Sequence, residues 1–141
     1  MRRWFLEHSA DTLHWLMGMG LNFYGPNPEP PNRVPRMHNV VPGAKAYITA
    51  LQARLLKLGG TILTDAGVDD LIVDGGRVCG VQAVVEGVRQ KYYATFGVVL
   101  AAGDYANSPE LIARFKGKQF AHIEGISERA TGDGHLLAEK A

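Results

Sequence analysis

The chain has 141 residues, the usual size of one domain and enough to bury a core. Its 15 basic and 14 acidic residues are scattered and give a net charge of +1, so no basic patch that would bind nucleic acid is expected. No apolar stretch approaches the roughly 20 residues that cross a bilayer, and the single Cys79 cannot form an internal disulfide. We therefore expect a soluble, cytoplasmic protein with no membrane span and no nucleic-acid partner.

The first predicted element is a short helix. Leu13, Leu16 and Met17 share helical spacing, and Ser9 or Asp11 can cap its start. The glycines that follow Met17 are expected to end it.

A proline-rich segment follows, with six of the seven prolines between residues 22 and 43. Because proline lacks an N–H donor and restricts the residue before it, this segment is predicted to be a long irregular loop. Arg33, Arg36 and His38 cluster there, where they could meet a bound carboxylate or phosphate. A solvated loop without a ligand is the equal alternative.

The middle of the chain is predicted to hold a helix followed by several strands. Residues 44–58 carry one apolar stripe at helical spacing, and Gly59 marks the end of the helix. Residues 61–65 indicate a short strand. Residues 68–103 indicate an antiparallel meander that leads into a final buried strand at 97–103, with Cys79 as a small buried strand residue.

Two helices are predicted in the last third. Ser108 is predicted to be the N-cap of the first, with Pro109 at the first helical position and Glu110 in the first turn. A second helix begins near Asp133 and runs to Ala141 without a cap. This ending suggests that the chain stops where a larger protein would continue.

Two glycine clusters could carry function, "AAGDYA" at 101–106 and "ATGDGH" at 130–135. Each lies before a predicted helix, where small residues let backbone N–H groups approach an anion such as a pyrophosphate. For either cluster taken alone, a plain turn is the favoured explanation. Asp133 is either a helix cap or an acceptor for the hydroxyls of a ligand, and its spacing favours the cap.

Other chemical motifs are missing. The sequence contains no G-x-G-x-x-G and no P-loop motif, and its five histidines are scattered without partners at metal-ligand spacing. No serine lies in a nucleophile-elbow context. We therefore predict no metal site and no catalytic residue within the chain.

The order of the segments is more specific than any one of them. "DTLHWLMGMGLNF", "PGAKAYITALQARLLKLGG", "VVLAAGDYANSPEL" and "ATGDGHLLAEKA" together resemble the interior of the fumarate reductase/succinate dehydrogenase flavoproteins, a family that includes the 3-ketosteroid dehydrogenases. The resemblance implies an α/β fold with α+β character. It would be a partial Rossmann-like FAD-binding domain with an antiparallel β-meander and flanking helices.

The resemblance also implies a cofactor and its contacts. FAD would be bound with help from Val68, whose backbone matches a position at the adenine, and from Ala101, Ala102 and Gly103 beside the cofactor. Asp133 matches an acid that contacts FAD. Two residues depart from the family's usual pattern: Ala102 replaces a Thr and removes a hydroxyl, and Asp104 replaces a Gly and adds a negative charge that is unfavourable near a pyrophosphate.

By the same comparison, residues 1–141 would be a partial FAD-binding domain. It would lack the N-terminal dinucleotide motif and the capping domain, with the catalytic His and Arg residues also outside the chain. The whole protein would pass a hydride between flavin and a carbon–carbon bond of a dicarboxylate, another unsaturated acid or a ketosteroid. The chain alone is expected to be inactive and to retain no flavin.

Two other hypotheses stay open from the sequence. The chain could be a free-standing small domain that binds an anionic ligand through its glycine clusters and the Arg33–His38 segment. It could instead be a structural remnant without activity. Apolar surface left uncovered would then favour self-association.

Overall fold

A computed structural model describes residues 2–141, which form two units divided after Ile62. The first unit contains α1 (Arg2–Gly18), β1 (Asn22–Asn27), β2 (Met37–Val41) and α2 (Lys45–Lys57). The second contains β3 (Ala66–Asp74), β4 (Arg77–Val85), β5 (Val88–Tyr93), α3 (Pro109–Phe115), a short 3₁₀ helix (Lys118–Phe120) and α4 (Asp133–Lys140). Helices flanking antiparallel strands confirm the predicted mixed α/β class.

Helix α1 is longer than predicted, because it begins at Arg2 and not near Ser9. Ser9 lies inside the helix, where its Oγ donates to the carbonyl of Phe5 at 2.6 Å. The Arg3 Nε and Glu7 Oε1 atoms lie 2.7 Å apart in an i,i+4 ion pair that supports the added turns. The prediction of a cap at Ser9 or Asp11 was therefore wrong.

The proline-rich segment is not an irregular loop throughout, because β1 and β2 form an antiparallel hairpin within it. Asn22 pairs with Val41 and Phe23 with Val40. The register shifts between Tyr24 and Asn27, which places Pro26 at an irregularity of the ladder. Proline is tolerated in sheets at such positions, since no ladder N–H is needed there.

Helix α2 confirms the predicted helix. It ends at Lys57 with Leu58 as its C-cap, and Gly59 follows with φ +82°. The Gly60 N–H donates to the carbonyl of Leu55 at 3.0 Å, so glycine conformation and backbone hydrogen bonds end the helix together. Its apolar stripe is largely uncovered: Ile48 is 66% exposed.

The second unit is built on a three-stranded antiparallel sheet in the order β3-β4-β5. Gly75 and Gly76 join the first two strands, and Glu86 and Gly87 join the next two, all with positive φ. Two-residue turns of this kind match the twist of a hairpin. The predicted meander is confirmed. Cys79 lies on β4 as predicted, but it is half-buried and not buried.

The strands predicted at 61–65 and 97–103 are absent. Val99 is 90% exposed and Leu100 is 41% exposed, so the prediction of a buried strand there was wrong. A buried strand needs hydrogen-bonded neighbours, and nothing in the part of the chain that the structure describes pairs with this segment.

The core of the second unit draws its buried side chains from the sheet, α3, α4 and the segment before α4. Ser108 caps α3 as predicted, because its Oγ accepts from the Leu111 N–H at 3.4 Å. Helix α4 packs against β3. The buried apolar side chains are Ala83, Leu111, Ile112, Ala130 and Leu137.

One ion pair joins the two outer strands of this sheet. Arg89 Nε lies 2.8 Å from Asp69 Oδ2, and Gln82 on the central strand donates to Asp69 Oδ1 at 3.4 Å. Desolvation raises the pKa of Asp69, but the hydrogen bonds from Gln82 and Arg89 and the charge of Arg89 outweigh it. The pKa is therefore lowered from 3.8.

This ion pair predicts a pH dependence of stability. Because the pKa of Asp69 is lower in the folded chain, the unfolded chain binds more protons in the window between the folded pKa and about 3.8, and stability falls as the pH falls through that window. Asp69→Asn should reduce the loss of unfolding free energy at acid pH, measured by urea unfolding over a pH series. Asp74→Asn, on the same strand, is the control and should leave that loss as it is in the unchanged chain. The same acid loss in Asp69→Asn would contradict the prediction.

Candidate functional site

The two glycine clusters meet in the second unit. The Gly132 N–H donates to the carbonyl of Asp104 at 3.0 Å, and the Asn107 N–H donates to the carbonyl of Ala130 at 2.9 Å. Gly134 lies close to Ala102: a Cβ added at Gly134 would be 3.2 Å from the Cβ of Ala102. Residues 101–106 and 130–135 therefore form one local structure.

The glycines of the two clusters are needed for different reasons. Gly132 is buried with φ +81°, and a Cβ there would clash with Leu111 Cδ1 and lie 2.9 Å from Tyr105 Cβ. Gly103 has the same φ of +81°, but nothing lies within 4 Å of its Cβ position. Internal packing thus explains Gly132, while Gly103 leaves open space beside its backbone.

The side chain of Asp104 bonds to the backbone of its own loop. Its Oδ1 accepts a hydrogen bond from the Ala106 N–H at 2.8 Å, as in an Asx turn. Asp104 is not among the residues with positive φ, so aspartate at this position carries no left-handed strain.

Asp133 is the first residue of α4 and not its cap. The N-cap is Gly132, without a side-chain cap hydrogen bond, so the favoured cap interpretation of Asp133 was wrong. The exposed carboxylate accepts from Thr131 Oγ1 at 3.0 Å through Oδ1. Because a carboxylate has acceptor sites on both oxygens, Asp133 can still accept hydrogen bonds from the hydroxyls of a ligand.

The remaining predicted residues lie in different parts of the fold. Ala101 and Ala102 are exposed and immediately precede Gly103. Val68 is 40% exposed on β3, the strand that contacts α4. Arg33, Arg36 and His38 belong to the first unit and form a separate feature.

Two residues that support the clusters were missed from the sequence. The Tyr105 ring lies edge-on to the His135 ring, with centroids 5.1 Å apart, and thereby joins the two clusters. Asn107 Nδ2 donates to the carbonyl of Glu128 at 3.2 Å. The only signal in the sequence was their position two and four residues after Gly103, because their partners His135 and Glu128 are distant in the chain.

Metal and membrane features can be stated for residues 2–141. Over this range, no three His, Cys, Asp or Glu side chains come together in a way that could hold a metal ion. None of the described helices has the length and apolar character needed to cross a bilayer.

The site combines open backbone, small side chains and an acceptor. Gly103 offers close approach to its backbone, Ala101 and Ala102 add little bulk, and Asp133 offers a carboxylate. A ligand that carries several hydroxyls and lies along a backbone segment fits this chemistry. The residues present therefore fit a dinucleotide cofactor such as FAD.

Known proteins are similar in sequence to this chain over nearly all of its length. The chain is 30% identical to the NADH:acrylate oxidoreductase of Vibrio harveyi, a match that covers 96% of this chain and 14% of that protein. It is 31% identical to the probable fumarate reductase Ifc3 of Shewanella frigidimarina, which covers 95% of this chain and 24% of that protein. The chain thus spans less than a third of the length of these relatives.

Solved structures share the fold. The open conformation of a flavocytochrome c3 fumarate reductase superposes with a TM-score of 0.82 at 27% identity, over 95% of this chain and 24% of that one. The 3-ketosteroid-Δ4-(5α)-dehydrogenase of Rhodococcus jostii RHA1 gives a TM-score of 0.77 at 23% identity, over 94% and 35%, and so supports the fold alone.

These likenesses confirm the family resemblance seen in the segment order and the assignment of FAD as the cofactor. A family model described as the FAD binding domain matches residues 1–141. The fold, the meeting of the two glycine clusters and this match agree, and the chain belongs to the FAD binding domain family of flavoproteins.

Proposed function

We propose that this chain supplies part of the FAD site of a flavin-dependent oxidoreductase that passes a hydride to or from a carbon–carbon bond. The observation that carries the proposal is the pairing of the two glycine clusters through the Gly132–Asp104 hydrogen bond. This pairing leaves the Gly103 backbone and the Asp133 carboxylate exposed in one local structure. When bound, FAD supplies the redox chemistry, and the protein binds and orients it.

Each predicted residue has a part in holding the cofactor. Asp133 accepts a hydrogen bond from a cofactor hydroxyl, and Gly103 allows close approach to its backbone. Val68 contributes its backbone at the adenine, and Ala101 and Ala102 keep the surface beside the cofactor free of bulk. The dinucleotide motif, the capping domain and the catalytic residues would be supplied from outside residues 1–141.

The substrate class follows from the relatives. Those at 30% identity or more are named for acrylate and fumarate, which are both unsaturated acids. The ketosteroid dehydrogenase is a neighbour at 23% identity, where the likeness concerns the fold. We therefore favour an unsaturated acid, dicarboxylates included, over a ketosteroid.

Two further expectations belong to this proposal. A cytoplasmic location is supported by the single cysteine, which is typical of a reducing compartment. Self-association is supported by exposed apolar side chains, which include Leu58 at 67% and Phe96 at 92% exposure.

Nuclear magnetic resonance can test the flavin site on the 141-residue chain itself. FAD titrated into labelled protein should shift the amide signals of residues 101–105 and 131–135, with little change in β5. Binding is expected to be weak, so no flavin should remain after gel filtration. Shifts centred elsewhere, or none at millimolar FAD, would contradict the proposal.

Replacing the two carboxylates of the site should affect FAD binding differently. Asp133→Ala removes an exposed acceptor and should weaken the FAD response about tenfold, since a hydrogen bond to a charged group contributes roughly 1.5–3 kcal/mol. Asp104→Asn keeps an acceptor for the Ala106 N–H but removes a negative charge near the cofactor phosphates. FAD binding should therefore stay the same or tighten, and a loss in this variant equal to that in Asp133→Ala would count against these assignments.

A further inference from the structure

The first unit contains a cavity that the flavin site does not use. It has a volume of about 460 Å³ and lies between α1, the β1–β2 hairpin and the first turn of α2. This volume falls within the roughly 300–1,000 Å³ typical of small-molecule sites. Its apolar lining consists mainly of the half-buried side chains Leu13, Leu16, Phe23 and Tyr47.

The apolar part of the cavity has a defined shape. The Phe23 and Tyr47 rings lie with centroids 6.0 Å apart at an interplanar angle of 52°. Tilted ring pairs at this distance are favourable and help fix each other's orientation. The two rings therefore form a wall against which a hydrocarbon group can pack.

Arg36 gives the cavity a positive charge. The Arg36 N–H donates to the carbonyl of Asn27 at 3.2 Å, which fixes the backbone at the end of the hairpin. One guanidinium nitrogen donates to Asn32 Oδ1, and the other N–H donors have no protein acceptor among the hydrogen bonds of residues 2–141. No Asp or Glu lines the cavity, so its charge is not neutralised from within.

His38 adds a second polar group with a defined tautomer. Its Nδ1 lies 3.0 Å from the carbonyl oxygen of Arg36. Because a carbonyl can only accept, Nδ1 carries the hydrogen, and this assignment rests on the hydrogen-bond partner. The Nε2 atom then carries no hydrogen and can accept a hydrogen bond but not donate one, so an anionic group in the cavity has Arg36 as its donor.

We infer that this cavity binds a small organic carboxylate with an apolar body. The Arg36 guanidinium can hold the carboxylate in a bidentate pair, and the body packs on Phe23 and Tyr47. Inorganic phosphate could meet the same arginine, but it has nothing to place against an apolar wall. The inference concerns the first unit and does not depend on the flavin site in the second.

The test uses saturated acids, which have no carbon–carbon double bond for a flavin to reduce. Acetate, butyrate and 3-phenylpropionate are titrated into the 141-residue chain at constant ionic strength, with the Arg36 and Tyr47 signals followed by nuclear magnetic resonance. We expect 3-phenylpropionate to bind at least about tenfold more tightly than acetate, because burial of apolar surface favours the larger body. Inorganic phosphate at the same ionic strength should bind no better than acetate.

Two arginines of the same loop supply matched variants. Arg36→Gln should weaken 3-phenylpropionate binding about tenfold or more, since it removes the charge-assisted hydrogen bonds. Arg33→Gln, an exposed position that does not line the cavity, should leave binding unchanged. Circular dichroism checks that both variants keep their helices.

Three results would overturn the inference. One is the absence of binding by any of the acids, and another is phosphate binding as tightly as 3-phenylpropionate. The third is equal loss in Arg33→Gln and Arg36→Gln, which would show general attraction to a basic loop. All three outcomes are independent of whether FAD shifts residues 101–105.

Discussion

Gly132→Ala is expected to destabilise the second unit by about 2–5 kcal/mol, because alanine there is both strained and overpacked. A left-handed backbone costs an L-residue roughly 1–2 kcal/mol, and forcing extra bulk into a packed site adds about 1–3 kcal/mol. Gly132 has φ +81°, and its Cβ position clashes with Leu111 and crowds Tyr105. The loss should appear in urea unfolding followed through the amide signals of β3 to β5.

Gly103→Ala is the matched control for this prediction. Gly103 has the same φ of +81°, but its Cβ position meets nothing within 4 Å. Only the backbone strain of roughly 1–2 kcal/mol should appear. Equal losses in the two variants would show that packing between the clusters contributes nothing at Gly132. Trp4 and Trp15 both lie in α1, so tryptophan fluorescence would not report this unit.

Leu137→Ala is expected to cost about 2–4 kcal/mol, because it leaves a cavity beneath α4. Leu137 is 7% exposed, and its helix packs on β3. The same helix begins with Asp133, so its loosening should also reduce the FAD response of residues 131–135. Urea unfolding of the second unit and the FAD titration measure these two effects.

The neighbouring residue isolates the effect of burial. Leu136→Ala makes the same chemical change on the same helix, so helix propensity changes by a similar amount. Leu136 is 40% exposed, and its replacement should cost about 1 kcal/mol or less. If the two variants lost the same stability, α4 would not be anchored through Leu137.

Local signals predicted the elements whose geometry is determined within a few residues. The Gly75–Gly76 turn, the Ser108 cap and the end of α2 at Gly59 are each set by conformational preferences or hydrogen bonds of neighbouring residues. The start of α1 was missed because Ser9, which has the residue type of a cap, lies inside the helix and donates to the carbonyl of Phe5. Family resemblance, and not periodicity, pointed to FAD.

Pairings between distant segments were decided by tertiary structure. Proline content predicted a loop where Asn22 and Val41 pair, because no local rule shows that Pro26 falls at an interruption of the ladder. Apolar content predicted a strand at 97–103, but a strand needs a partner, and none of the described residues supplies one.

The candidate site shows the same division. The sequence by itself determined the two glycine clusters, the carboxylate of Asp133 and the family to which they point. Only the tertiary structure decided that Gly132 bonds to Asp104, that Gly132 is required by packing, and that Gly103 is the glycine left open. The physical reason is that clashes and hydrogen bonds between segments depend on distances in space, which local spacing in the chain does not encode.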